Sequence, residues 1–236
     1  MRRLVIAALG VIAVAGCGGA EPERSAATRE QPPPLPRAQS VRFKASDGRT
    51  VRAEYTPATS AHAPAVVLLH EIRGGPDQWD VLVPYLHEAG FATLAYLSRP
   101  SVMERDRIRD ALGAVRWLRA RPDVDRRRLA FVGASIGAST TVFAMASAAR
   151  RTVDAAVALS PPDSPDIWAL QDHDLYRPHD MLLVSDKRES SAVDGMMDGA
   201  MRSRALRADR PGHGVALLAE PKIRDTLVAW LRDRVR

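Results

Sequence analysis

Cysteine is almost missing from this 236-residue chain: Cys17 stands alone, so no disulfide can form within it. Lysine is nearly missing too, with Lys44, Lys187 and Lys222 the only ones, so the net charge of +6 rests on arginines scattered between acids. Aromatic residues make up 5%, and no basic stripe is interleaved with them, which argues against a nucleic-acid-binding surface. The apolar run from Leu4 to Ala15 is too short to span a bilayer as a helix. Cys, His and Asp at metal-ligand spacing are absent; the His173-Asp174 neighbourhood reads as a surface loop, so no metal and no cofactor is implied. What remains is 46% hydrophobic and 26% charged, ordinary for a soluble globular protein with room for one good core.

The single cysteine gains meaning from its place. Arg2 and Arg3 precede the short apolar run, the pattern of a secretory signal. The run ends Val14-Ala15-Gly16-Cys17, which resembles the lipobox of bacterial lipoprotein signals: aliphatic, small, small, cysteine. The resemblance implies removal of residues 1–16 and acylation of Cys17, whose several acyl chains would hold the protein on a membrane. Gly18 in place of Asp would send it to the outer membrane of a Gram-negative cell. Residues 17–40 then form the lipidated end and a Gly-, Pro-, Glu- and Ser-rich tether that cannot bury a core. The expected location is therefore extracytoplasmic.

From residue 41 the pattern changes. Val41–Lys44 and Thr50–Tyr55 alternate around Ser46-Asp47-Gly48, as a hairpin does. Pro64–His70, Phe91–Leu97, Leu129–Val132, Val153–Leu159, Met181–Val184 and Gly214–Leu218 read as buried strands. Helices are expected over Pro76–Ala89, Met103–Arg121, after Ser135, over Ala192–Ala208 and over Ile223–Val235. In the second of these, Ile108, Ala111, Leu112, Val115 and Leu118 make an apolar stripe. Apolar strands alternating with helices predict an α/β fold, a doubly wound, mostly parallel sheet with helices on both faces, in one domain over residues 41–236. Ser160–Asp180 is irregular and Pro-rich, and its Trp168 and Leu170 are placed to shape a pocket.

Chemistry concentrates at Gly133-Ala134-Ser135-Ile136-Gly137, a G-x-S-x-G between a strand and an Ala-rich helix. Such a turn folds the helix back over its strand, and Gly133 and Gly137 lack the Cβ atoms that would collide. Ser135 is left at the apex in a strained conformation, as a nucleophile is. His213 lies downstream between Gly212 and Gly214, where a ring can swing onto the serine and act as general base. The other histidines are less well placed: His62 in an entry segment, His87 on a helix, His173 and His179 in the irregular stretch, and His70 at the end of a buried strand.

The order of elements, the elbow and the His213 loop resemble the α/β-hydrolases. His70-Glu71-Ile72-Arg73-Gly74-Gly75 and Arg121-Pro122-Asp123-Val124-Asp125 narrow the resemblance to dienelactone-hydrolase-type members. That resemblance implies a nucleophile–acid–base order along the chain, with the acid shortly after strand Met181–Val184. Here the row reads Ser185-Asp186-Lys187-Arg188-Glu189, and Arg188 takes the family's acid position. Asp186 and Glu189 flank it and both stay open, Glu189 having the longer reach. The oxyanion donors implied are the N–H groups of Ile136 and Ile72. Glu71 matches a family glutamate near the nucleophile; a salt bridge to Arg73 or Arg99 is the other reading. The family nucleophile is Cys where Ser135 stands here, which favours a general serine esterase over a lactone specialist.

These residues together predict a membrane-tethered serine hydrolase acting on a small acyl substrate through an acyl-enzyme, in an exposed site rather than under a lipase lid. Two other readings remain: a peptidase of the same fold, which would need an acid to recognise an amine, and a binding lipoprotein that keeps the fold without catalysis.

Overall fold

The computed structural model describes residues 35–101, 103–146, 153–164 and 179–236. Cys17, the tether as far as residue 34, and Trp168, Leu170, His173 and Tyr176 lie outside the described residues. No helix among the described residues is long and apolar enough to cross a membrane.

Eight strands form one sheet: β1 (Gln39–Lys44), β2 (Thr50–Thr56), β3 (Ala63–Leu69), β4 (Ala92–Tyr96), β5 (Val124–Ala134), β6 (Ala155–Leu159), β7 (Met181–Ser185) and β8 (Arg204–Arg207). Their order is β1-β2-β4-β3-β5-β6-β7-β8. β1 and β2 form the antiparallel hairpin, β2 runs antiparallel to β4, and every other neighbouring pair is parallel. The helices are α1 (Val83–Glu88), α2 (Glu104–Arg119), α3 (Ile136–Ala146), α4 (Ser190–Met197) and α5 (Pro221–Arg234).

Helices cover both faces, because the strands are apolar on both. Along β3, Val67 and Leu69 pack into the same core as Val115 and Leu118 of α2, Val142 of α3 and Val193 of α4. Val66 and Leu68 of the same strand face the opposite way, toward Leu86 of α1 and Leu227 and Leu231 of α5. The period of two in side-chain direction divides the two cores. β4 and β5 lie on opposite sides of β3, so the chain reverses its winding between β3 and β5. In an open parallel sheet that reversal leaves a crevice at the carboxyl ends of the two strands, where ligands bind.

Four details differ from the sequence expectations. Residues 192–208 do not form one helix: α4 ends at Met197, Gly199 turns with φ +67°, and Arg204–Arg207 pairs with β7 as the last strand. Its arginines hid the alternation, and pairing with Leu182–Ser185 overrides local preference. Gly214–Ala219 is a 3-10 helix rather than a strand, since the N–H groups of Gly214 and Val215 go to side chains and Gly214 takes φ +55°. His213 thus follows the last strand instead of preceding it. Residues 76–89 divide into a 3-10 turn (Pro76–Val81) and α1, with Pro84 at the junction. On α2, Ala111, Val115 and Leu118 are buried, but Ile108 and Leu112 are only half-buried, and Arg107 and Asp110 take inward places. Asp110 accepts from Arg99, and Arg107 reaches Glu104 and Thr140, so paired charges occupy a face that the periodicity read as apolar.

Candidate functional site

Six strand ends point the same way, and the singled-out residues stand along that edge. Ser135 links β5 to α3 and has φ +52°, a left-handed backbone that side chains other than glycine rarely adopt. Close backbone packing holds it there. A Cβ on Gly137 would lie 2.1 Å from the carbonyl oxygen of Leu69, and one on Gly133 would lie 2.2 Å from that of Gly137. Both glycines are therefore steric requirements of the turn. Ser135 N–H donates to Leu159 O (2.9 Å), tying the turn to the end of β6. On the far side of α3, Thr140 donates its hydroxyl to Glu104 (2.6 Å), fixing the helix to α2.

His213 sits in the loop after β8, half-exposed, with Nδ1 2.6 Å from Glu189 Oε1. The structure separates the two carboxylates left open by the sequence. Glu189 meets the imidazole; Asp186, buried at the end of β7, turns away from it. Asp186 accepts from the N–H groups of Arg188 (2.8 Å), Glu189 (3.1 Å) and Gly212 (3.1 Å) and pairs with the Arg188 guanidinium (2.7 Å). Burial alone would raise its pKa; the Arg188 guanidinium and those three N–H donors outweigh it and hold the carboxyl at about 2. Arg188 thus engages Asp186 and not the carboxylate that meets His213.

The loop around His213 is held from three strand ends. Gly212 N–H goes to Asp186 after β7, Gly214 N–H to Ser160 Oγ after β6 (2.9 Å), and Val215 N–H to Glu71 Oε1 after β3 (2.6 Å). A Cβ on Gly214 would lie 1.8 Å from Glu71 Oε1. Glu71 therefore braces the histidine loop. Among the described residues it makes no ion pair with Arg73, and Arg99 is engaged by Asp47 and Asp110, so the salt-bridge reading is corrected. Ser160, buried with φ +50°, was not singled out by the sequence. A serine and two prolines after an apolar strand gave only a weak hint of a turn.

His70 is structural, as its burial suggested. Its Nε2 accepts from Ser98 N–H (3.0 Å) and its Nδ1 donates to Glu71 O (2.6 Å), which fixes one neutral tautomer. The Glu71–Gly74 turn that follows closes with Gly74 N–H on Glu71 O (3.0 Å) and Arg73 at φ +61°. Ile72 projects from it, 67% exposed. Among the described residues, the N–H groups of Ile72 and Ile136 have no hydrogen-bond acceptor, and Ser135 Oγ has no partner either. Two N–H donors and a hydroxyl are thus uncommitted at the ends of the adjacent strands β3 and β5. No group of His, Cys, Asp and Glu among the described residues is placed to hold a metal ion.

No family model matches the chain. Two proteins of Mycobacterium tuberculosis strains, both described as uncharacterized, are 32% identical to it over 117 residues, spanning 46% of this chain and 41% of theirs. Among solved structures, a dienelactone hydrolase from Anabaena variabilis superposes with a TM-score of 0.69 at 17% identity, covering 86% of this chain and all of that one. The thermostable carboxylesterase EstE1 from a metagenomic library gives 0.69 at 18%, over 86% of this chain and 90% of its own. A Pyrococcus furiosus esterase gives 0.67 at 15%, over 85% and 94%. At such identities the likeness is one of fold, and the fold is that of the α/β-hydrolases.

Proposed function

We propose that the chain is a serine hydrolase cleaving an ester or related acyl bond, with Ser135 as nucleophile, His213 as general base and Glu189 as the orienting acid. The observation that carries this reading is the 2.6 Å contact between His213 Nδ1 and Glu189 Oε1, at the same sheet edge as a serine strained to φ +52°. A carboxylate on Nδ1 keeps the proton there and leaves Nε2 free to accept one. Ser135 Oγ attacks the carbonyl carbon as His213 Nε2 takes its proton, and the tetrahedral oxyanion is met by the N–H groups of Ile136 and Ile72. Collapse expels the alcohol, which takes the proton back from His213. Water, deprotonated by the same nitrogen, then cleaves the acyl-enzyme and releases the acid.

The dienelactone hydrolase and esterase likenesses support acyl chemistry on this fold, and the Ser in place of Cys favours open-chain esters over lactones. Wild-type protein should turn over p-nitrophenyl acetate and butyrate, and a fluorophosphonate should label Ser135. Turnover surviving in Ser135→Ala would sink the mechanism. One observation favours the alternative of a binding protein without catalysis: Ser135 Oγ and His213 are not within hydrogen-bond distance in the free protein. Such contacts often tighten only with substrate bound, and absence of both turnover and labelling in wild type would decide for that alternative.

The lipobox-like Val14–Cys17 supports tethering of this hydrolase to a bacterial membrane on the outer side of the cytoplasm. Cys17→Ala should release it into the soluble fraction; retention on membranes would refute the anchor.

A further inference from the structure

On the β1–β2 hairpin, Arg42 and Arg52 stand directly opposite each other across the antiparallel pair. Like charges in that relation repel and destabilise a sheet. Neither of these enters any side-chain hydrogen bond or ion pair among the described residues. The face they share is defined by register. Ser40 lies opposite Glu54, Glu54 opposite Ala95, and Leu97, two residues on from Ala95, donates its N–H to Arg52 O at 2.9 Å. Together with Pro76, where the chain leaves the loop after β3, these residues line a groove of about 770 Å³.

The lining has two chemistries. Arg42 and Arg52 with Glu54 leave one positive charge in excess, suited to a single negative charge. Beside them Leu97, 36% exposed, and Pro76 offer apolar surface. A guanidinium fork matches a carboxylate in the plane. Its two arginines stand apart from Ser135: β3 and β4 separate β5 from β2, about 14 Å at the usual strand spacing. We propose that this groove binds an alkyl carboxylate, its anionic head on Arg42 and Arg52 and its chain along Leu97 and Pro76. Bound in this way, the ligand offsets the repulsion that the empty hairpin carries.

The test is calorimetric titration of the full chain with decanoate, decanol and inorganic phosphate, comparing wild type with Arg42→Ala, Arg52→Ala, the double variant and Glu54→Gln. Decanoate affinity should fall about tenfold in each arginine variant and further in the double, should rise in Glu54→Gln, and decanol should bind all five proteins alike. Decanoate binding unchanged in the double variant, or inorganic phosphate binding as tightly as decanoate through the same arginines, would overturn the proposal. Both side chains are exposed, so the variants should fold, with a melting temperature equal to or above wild type. The readout is binding rather than turnover, so its outcome does not depend on the role given to Ser135.

Discussion

The two ends of the candidate site are built by different means. At the inner strands β3 and β5, the Ser135 turn is held by backbone against backbone: Gly137 on Leu69 O, Gly133 on Gly137 O. At the outer strands β7 and β8, His213 and Glu189 lie in loops held by side chains reaching from elsewhere: Asp186 to Gly212, Ser160 to Gly214, Glu71 to Val215. Backbone packing tolerates no substitution but demands only glycine, which a motif records. Side-chain bracing can be supplied by many residues at many positions, so it leaves no fixed signature. The inner end is therefore legible as a motif, while at the outer end Glu189 rather than Asp186 contacts the imidazole.

The largest expected effect falls on the inner end. Ser135→Ala should lower kcat on p-nitrophenyl butyrate by a factor on the order of 10⁵–10⁶ without loss of fold, since a hydroxyl alone is removed. Gly137→Ala should instead reduce the yield of folded protein, because its Cβ would meet Leu69 O at 2.1 Å, and thermal melting will separate the two outcomes.

At the outer end the two carboxylates should come apart. Glu189→Gln should cost about 10³–10⁴ in kcat with little change in melting temperature, as expected for loss of the imidazole's orienting charge. Asp186→Asn should cost about 10–100-fold through displacement of the His213 loop, together with a lower melting temperature. If Asp186→Asn were the more damaging to kcat at unchanged melting temperature, the roles assigned to the pair would have to be exchanged.

A smaller effect is expected at the third brace. Glu71→Ala leaves the Val215 N–H without its acceptor and should destabilise by about 1–3 kcal/mol, whereas Glu71→Gln retains an acceptor oxygen and should lose less. Chemical denaturation of both variants measures the difference.

The pH dependence is the mildest test. Asp186 in the folded chain titrates at about 2, below the ordinary 3.8, so the unfolded state binds the proton more readily. Its contribution is complete above about pH 4 and is lost as pH falls toward 2. Wild type should therefore lose stability more steeply than Asp186→Asn across that window, and parallel acid-unfolding curves would remove Asp186 from the brace.

Much was legible without coordinates. Runs of β-branched and small apolar residues separated by amphipathic stretches determined a parallel sheet covered on both faces, since only burial on both sides accounts for strands such as Ala65–Leu69. The elbow at Ser135 was legible for the same local reason: its glycines answer to atoms only a few residues away or on the neighbouring strand. Local pattern failed where long-range pairing decided. Arg204–Arg207 became a strand through its neighbour β7, and Gly214–Ala219 lost its strand character to acceptors on Ser160 and Glu71. The same distinction governs the site. The sequence by itself offered a serine, two possible acids and a histidine in that order along the chain; only tertiary structure, by burying Asp186 among N–H donors and bringing Glu189 Oε1 to the imidazole, decided which carboxylate meets His213.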